Sequence, residues 1–278
     1  GIIAGIKGLA SAMKTVGSAM IEVGKQAVSG FGEFEQLEGG VQKLFGDDVK
    51  DTVIKNANDA FKTAGMSANE YMETVTGFSK SMIVSLNGDT KKAAELSDQA
   101  LRDMSDNANT FGTDMQSIQN AYSGFAKGQF NMLDNLKLGY GGTKTEMERL
   151  LKDAEKLSGK KYDVSNFADI TEAIHQIQVA SNIAGTTQAE AMGTIEGSIN
   201  ATKSAWSNLI TGLATDGADL SQLVMNLFSS LVGDGDGNGG VVNNVLKAVD
   251  RVVDGVFDAL PIILDGIAEQ LPSFLDAG

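Results

Sequence analysis

The chain has 278 residues, 42% of them hydrophobic, with no Cys, two Pro and a net charge of −14. That content suffices for one or two domains with cores of their own, and the lack of Cys excludes disulfides, thiolate metal sites and thiol nucleophiles. The acidic balance comes without any basic run that could release counterions from nucleic acid, so no specific nucleic acid binding is expected.

No apolar run is long enough for a transmembrane helix, and no basic stretch followed by an apolar one marks a signal peptide. The sequence starts at Gly1 with a helical pattern already in register, and so reads as a piece of something longer. Its prolines, Pro261 and Pro272, both stand near the end. Nothing before them breaks a helix, and an all-α fold is expected.

From Ile2 to Leu44 apolar or small residues recur in alternating steps of three and four: Ile2, Ile6, Leu9, Met13, Val16, Met20, Val23, and on through Ala27, Gly30, Phe34, Leu37 and Val41. This is a heptad seam on a long N-terminal helix. Its flanks are small (Ala10, Ala12, Gly17, Ala19, Gly24), which lets backbones approach closely. The pattern fits an intermolecular coiled coil, with Ile2 to Val23 as the oligomer seam, and equally a long helix packed inside its own domain; a break near Gly30–Gly32 suits both. Each Gly costs about 1 kcal/mol relative to Ala inside a helix, so this helix needs a partner to persist.

In the middle of the chain four helix starts are written as capping boxes: Ser67 with Glu70, Thr113 with Gln116, Thr143 with Glu146, and Thr187 with Glu190. After Ser67 the apolar face is Tyr71, Met72, Val75, Phe78, Met82 and Leu86; after Thr187 it is Met192, Ile195, Ile199, Trp206, Leu209 and Leu213. Met72, Phe78, Met82, Phe125 and Phe130 sit among apolar neighbours and are expected in a core. Asn87–Gly88–Asp89 and Gly139 to Gly142 punctuate these helices as turns, because Gly and Asn tolerate positive φ.

The run Asp234 to Gly240 reads DGDGNGG and marks a linker. Beyond it Val242, Val245, Val249, Val252, Val256 and Leu260 share one helical face, while Asp250, Asp254 and Asp258 share another. Leu260–Pro261 and Leu271–Pro272 repeat at a spacing of eleven, which suggests two short successive helices. The expected organisation is an N-terminal helical stalk (1–32), a compact multi-helix middle domain (33–215), an amphipathic helix (216–232), a linker (233–240) and amphipathic C-terminal helices (241–278).

Candidate chemistry is sparse. Residues 234–239 match the opening of a calcium loop, but the twelfth position is Val245 where a bidentate Glu is required, so a flexible acidic linker is the simpler reading. In Gly139–Thr145 the spacing of a phosphate loop is broken by Thr143 between Gly142 and Lys144. His175 is the only histidine and lies on a helix with Ile170, Ile174 and Ile177, which reads as structural. No catalytic, cofactor or metal residues are assigned.

Several long phrases follow one another in order: EFEQLEGGVQKLFG from Glu33, AGMSANEYMETVTGFS from Ala64, MSDNANTFGTDMQSIQNAYSGFAKGQF from Met104, MLDNLKLGYGGTKTEMERLLKDAEKLSG from Met132, AIHQIQ from Ala173, and GTTQAEAMGTIEGSINATKSAWSNLITGLA from Gly185. Through these phrases the chain resembles, over about two-thirds of its length, the tape measure proteins of tailed phages, prophages and phage-tail-like particles of Gram-positive bacteria. The resemblance implies a non-enzymatic structural protein that fills the lumen of the tail tube or baseplate, sets tail length, and leaves ahead of DNA at ejection. It implies several copies, commonly a homotrimer, with the tail tube protein and distal tail or baseplate hub proteins as further partners. The compact, turn-rich middle suggests a tail-end domain more than a plain length of tape. An acidic surface suits a plug that does not adhere to the DNA using the same channel. The other reading, a membrane-active module that inserts in the host envelope during ejection, meets the objection that acids outnumber Lys247 and Arg251 in the last segment.

Overall fold

A computed structural model describes residues 29–233, 239–244 and 247. The seam positions Ile2, Ile6, Leu9, Met13, Val16, Met20 and Val23 lie outside the described residues, as do residues 234–238 of the acidic linker and the C-terminal stretch after 247. Among the described residues every regular element is helical and no strand occurs.

Residues 29–45 are helical and are named α1. Then follow α2 (Asp47–Thr63), α3 (Ala68–Ser85), α4 (Thr90–Phe111), α5 (Met115–Phe125), a 3-10 turn (Leu133–Leu136), α6 (Lys144–Ser158), α7 (Phe167–Ala180), α8 (Thr186–Gly193), α9 (Ile195–Gly212) and α10 (Leu220–Val232).

Local chemistry explains most of these starts. The Ser67 box closes in both directions: its hydroxyl accepts from Glu70 N, and the Glu70 carboxylate accepts from Ser67 N at 2.7 Å. Thr143 caps α6 through Glu146 N at 3.2 Å. Two of the expected boxes give way. α5 is capped by Asp114, whose carboxylate accepts from Ser117 N at 3.0 Å, because the Thr113 N–H already donates to Ala108 O in closing α4. Thr187 does not cap α8, which begins at Gly185 with no local side-chain cap; its first amides are taken by a distant residue. Asp89, Asn166, Thr194 and Asp219 cap α4, α7, α9 and α10. The Asn87–Gly88 turn has φ of 55° and 91°, the left-handed backbone that suits these two residues.

One apolar cluster runs from Val41 to Ile177. Tyr71, Met72, Val75, Phe78 and Met82 of α3 are buried in it, with Leu101 and Met104 of α4, Ile118, Tyr122 and Phe125 of α5, and Met147 and Leu150 of α6. Phe78 meets Phe167 edge-on at 6.0 Å, and Phe130 stacks against Phe125. A second, smaller cluster joins Phe61 of α2 to Ala191 of α8 and Ala201 and Ala205 of α9, with Leu227 of α10 against it. The chain thus has a body, α1–α7, and a lobe, α8–α10, in which α9 and α10 lie against one another.

Candidate functional site: an outward apolar hairpin

Helix α4 carries an unusual share of buried polar side chains, and the structure gives almost every one a tether. Asp98 accepts from Tyr71 OH at 2.8 Å and pairs with Arg102 at 2.6 Å. The Asp103 carboxylate receives His175 Nδ1 of α7 at 2.9 Å. Ser105 donates to Ala64 O, and Asn107 Nδ2 donates to Leu136 O. Asp106 supplies the missing cap of α8, its two oxygens accepting from Gly185 N at 2.6 Å and Thr187 N at 2.8 Å. A buried carboxylate on a helix N-terminus satisfies amides that would otherwise be orphaned and meets the positive end of the helix dipole.

Burial pushes the Asp103 carboxyl up to about 6, against the downward pull of His175. His175 is raised in turn, first by its hydrogen bond to Asp103 and against its own burial. The two shifts describe one proton shared by a coupled pair and held more firmly than by a free imidazole. Tyr71 is pushed far up by burial and by the Asp98 charge. A cavity of about 410 Å³ adjoins this row, lined by Asp98, Arg102, Asp103, Asp106 and His175, yet each of these groups is engaged in a structural bond. Among the described residues no three His, Cys, Asp or Glu side chains gather as a metal site.

In the Gly139–Thr145 loop the Glu146 carboxylate accepts from Gly141 N at 3.1 Å and pairs with Arg149, which also donates to Gly139 O. A carboxylate therefore occupies the amide that a phosphate would need. A groove of about 660 Å³ between α3, α4, α5, α8 and α9 is lined by polar residues such as Glu73, Gln119 and Glu190 and by apolar ones such as Met66, Phe78 and Met115.

The lobe offers a different surface. The buried residues of α9 are mostly small or polar: Ala201, Ser204, Ala205 and Asn208 are buried, together with Ile210. Ser204 donates to Gly65 O at 3.1 Å, Asn208 Oδ1 accepts from Ala68 N at 2.9 Å, and Thr202 bonds Ser230 O of α10. A Cβ at Gly30 would stand 2.6 Å from Thr211 Oγ1, so α1 and α9 approach closely only because residue 30 lacks one. Of the large apolar residues of α9, Ile199, Trp206 (46% exposed) and Leu213 at the C-cap are exposed, whereas Ile210, between the last two, is buried. In α10, Leu220, Val224, Met225 (65%), Phe228 (63%) and Leu231 are exposed, and the helix contains no charged residue.

Of the apolar set read after Thr187, Ile199, Trp206 and Leu213 are thus exposed and Leu209 is half-buried. The pattern that marked the buried side was Ala201, Ser204, Ala205 and Asn208 at steps of three, one and three, a small-residue stripe that lets helices approach closely. Elsewhere among the described residues large apolar side chains are exposed singly, as at Val84, Leu157 and Val179, which is ordinary for a protein surface. On the lobe they gather into a patch of the kind that marks an interaction site. The chain matches no protein-family model, no curated protein and no solved structure.

Proposed function

We propose that this chain is a non-enzymatic structural segment of a phage-tail tape measure protein, housed in the lumen of the tail tube or baseplate of a phage or tail-like particle. The observation that carries the reading is the ordered run of phrases from Glu33 to Ala214, which spans α1 to α9. The all-helical fold and the engagement of its buried acids as tethers support it, since they spend the chain's ionisable chemistry on holding shape. In this role the copies associate, as a homotrimer, through the seam Ile2 to Val23, and contact the tail tube protein and the distal tail or baseplate hub.

In-frame removal of residues 242–275 from the parent protein, with tail lengths read by electron microscopy, tests it. Tails shortened in proportion to the removed helix put the segment in the ruler. Full-length tails that fail to deliver DNA make it a terminal plug. Tails of normal length with normal delivery remove the reading.

The exposed apolar side of α10, a helix without a charged residue, favours one second reading, a module that meets the host membrane during ejection. No helix among the described residues is long and apolar enough to cross a bilayer, so this role would be interfacial. Leakage of liposomes caused by the full chain, abolished by Phe228→Glu, would support it; intact liposomes would discard it.

A further inference from the structure

We infer that the outward side of the α9–α10 hairpin is a self-association surface, occupied by the same surface of a second copy of this chain. The inference rests on the described geometry and stands whether or not the chain is a tape measure.

The first argument is chemical. Ile199, Trp206, Leu213, Leu220, Val224, Met225, Phe228 and Leu231 form a face whose α10 half has no charge at all. Its occupant must be apolar and uncharged over a similar extent, since a charged partner group would be desolvated there without a counterpart. Among the described residues this chain bears one such face, the hairpin itself. A patch that pairs with its own copy about a two-fold axis satisfies both sides with one set of residues.

The second argument is size. These eight residues are between 37% and 65% exposed. Counting about 150–250 Å² of full side-chain area for the two aromatics and less for the six aliphatic residues, they offer at most on the order of 700 Å² per copy. A stable specific interface buries about 800 Å² per partner, whereas the largest patch on an ordinary monomer is about 300–600 Å². The third argument is spacing. Leu220, Val224, Phe228 and Leu231 of α10 recur at steps of four, four and three, the repeat by which one helix seats knobs in another, while on α9 exposed Lys203 and buried Ile210 interrupt the series of Ile199, Trp206 and Leu213 and leave these three as its flank.

The chain's own continuation does not supply the cover as far as it is described. Asn243 donates to Val232 O and Asn244 to Thr194 O, which pins residues 239–244 at the end of the hairpin where α10 finishes and α9 begins. Val242 on this stretch is itself 48% exposed, so it enlarges the face.

Trp206 is the only tryptophan and sits within the proposed contact, so its emission reports on occupancy directly. The test is sedimentation and Trp fluorescence of the full chain across a dilution series. Three chains are compared: wild type, the double variant Met225→Lys with Phe228→Glu, and a seam variant Met13→Glu with Val16→Glu. Both α10 substitutions replace exposed side chains, and circular dichroism checks that helix content is kept. The expected result is an association step in wild type that blue-shifts Trp206, is weakened more than tenfold in the α10 variant, and persists in the seam variant. A wild type that stays monomeric with red emission at every concentration overturns the inference, and so does an association step unaffected by the α10 changes. If deletion of residues 245–278 is required before copies associate, the face is covered by the chain's own end and the inference falls; the same holds if Trp206 shifts only on adding neutral lipid vesicles. None of these outcomes bears on the tail-length experiment, so the two readings fail separately.

Discussion

The body and the lobe use the same helical period with opposite sign. In α3, the residues at steps of three and four that are large and apolar, from Tyr71 to Met82, point into the main cluster. In α9 three of the large apolar residues, Ile199, Trp206 and Leu213, are exposed, and the buried residues are mostly Ala, Ser and Asn, with Ile210 as the large one. Periodicity identifies a face. What decides its direction is whether another element of the same chain has an apolar surface left to receive it, and the body has already closed its own core. The lobe is left to join through small-residue contact and polar tethers.

This contrast can be broken first where it is largest. Leu101, fully buried at the centre of the body, should cost about 2–5 kcal/mol of unfolding free energy when changed to Ala. Trp206→Ala, although it removes a larger side chain, should cost less, about 1–2 kcal/mol, because nearly half of its surface is already exposed. Urea titrations of dilute protein compare the two directly. A large loss at Trp206 would mean that the lobe has an internal core after all.

The next effect lies on the tether between the regions. Asp106→Ala strips the acceptors from Gly185 N and Thr187 N, leaving amides unsatisfied at a cost of about 1–3 kcal/mol. Hydrogen exchange should speed up at the start of α8 while the amides of α3 keep their protection. Uniform acceleration through the body would show that the lobe and body unfold as one unit.

A smaller effect concerns pH. An unfolded imidazole releases its proton near 6.5, whereas folded His175 and Asp103 are both raised, Asp103 to about 6. The folded chain therefore binds more protons than the unfolded one between the unfolded carboxyl value and the raised His175 value. The pair's contribution is present in full on the acid side of this window and is lost as pH rises through it. Wild type should lose stability between pH 5 and 8 relative to His175→Gln, as read by thermal unfolding at each pH. Parallel curves for the two proteins would show that the pair titrates alike in both states.

Smallest is a comparison of two threonine and serine positions that look alike in sequence. Ser67→Ala removes a working cap and should cost about 1 kcal/mol. Thr187→Ala should cost a few tenths, because Thr187 contributes its backbone amide to Asp106 and its hydroxyl caps nothing.

The legible parts of this fold were those governed by neighbours in sequence. The Ser67–Glu70 box, the Thr143 cap and the Asn87–Gly88 turn each depend on residues within a few positions, and the body face of α3 follows from period alone. Thr113 was read as the cap of α5, whereas the helix starts one residue later and its neighbour Asp114 takes the role. The cap of α8 could not be read locally, since its donor amides and its carboxylate are about eighty residues apart. The outward face of α9 and α10 was visible as a stripe, but its orientation depends on packing that no local pattern encodes.

The Asp106 clamp also sets the order in which the molecule would give way under tension. A pull on the C-terminal end reaches α10 first, then α9 with its few polar bonds to Gly65 and Ala68, and then the two amides held by Asp106, before any load falls on the main apolar cluster. We predict that a single chain anchored by a residue of α3 and pulled from the C-terminal side of α10 lengthens in two steps, the lobe paying out ahead of the body. Force spectroscopy of the Asp106→Ala variant should lower the first step and leave the second unchanged. On this account the lobe behaves as a mechanical fuse, releasing slack at modest load while the body keeps its shape.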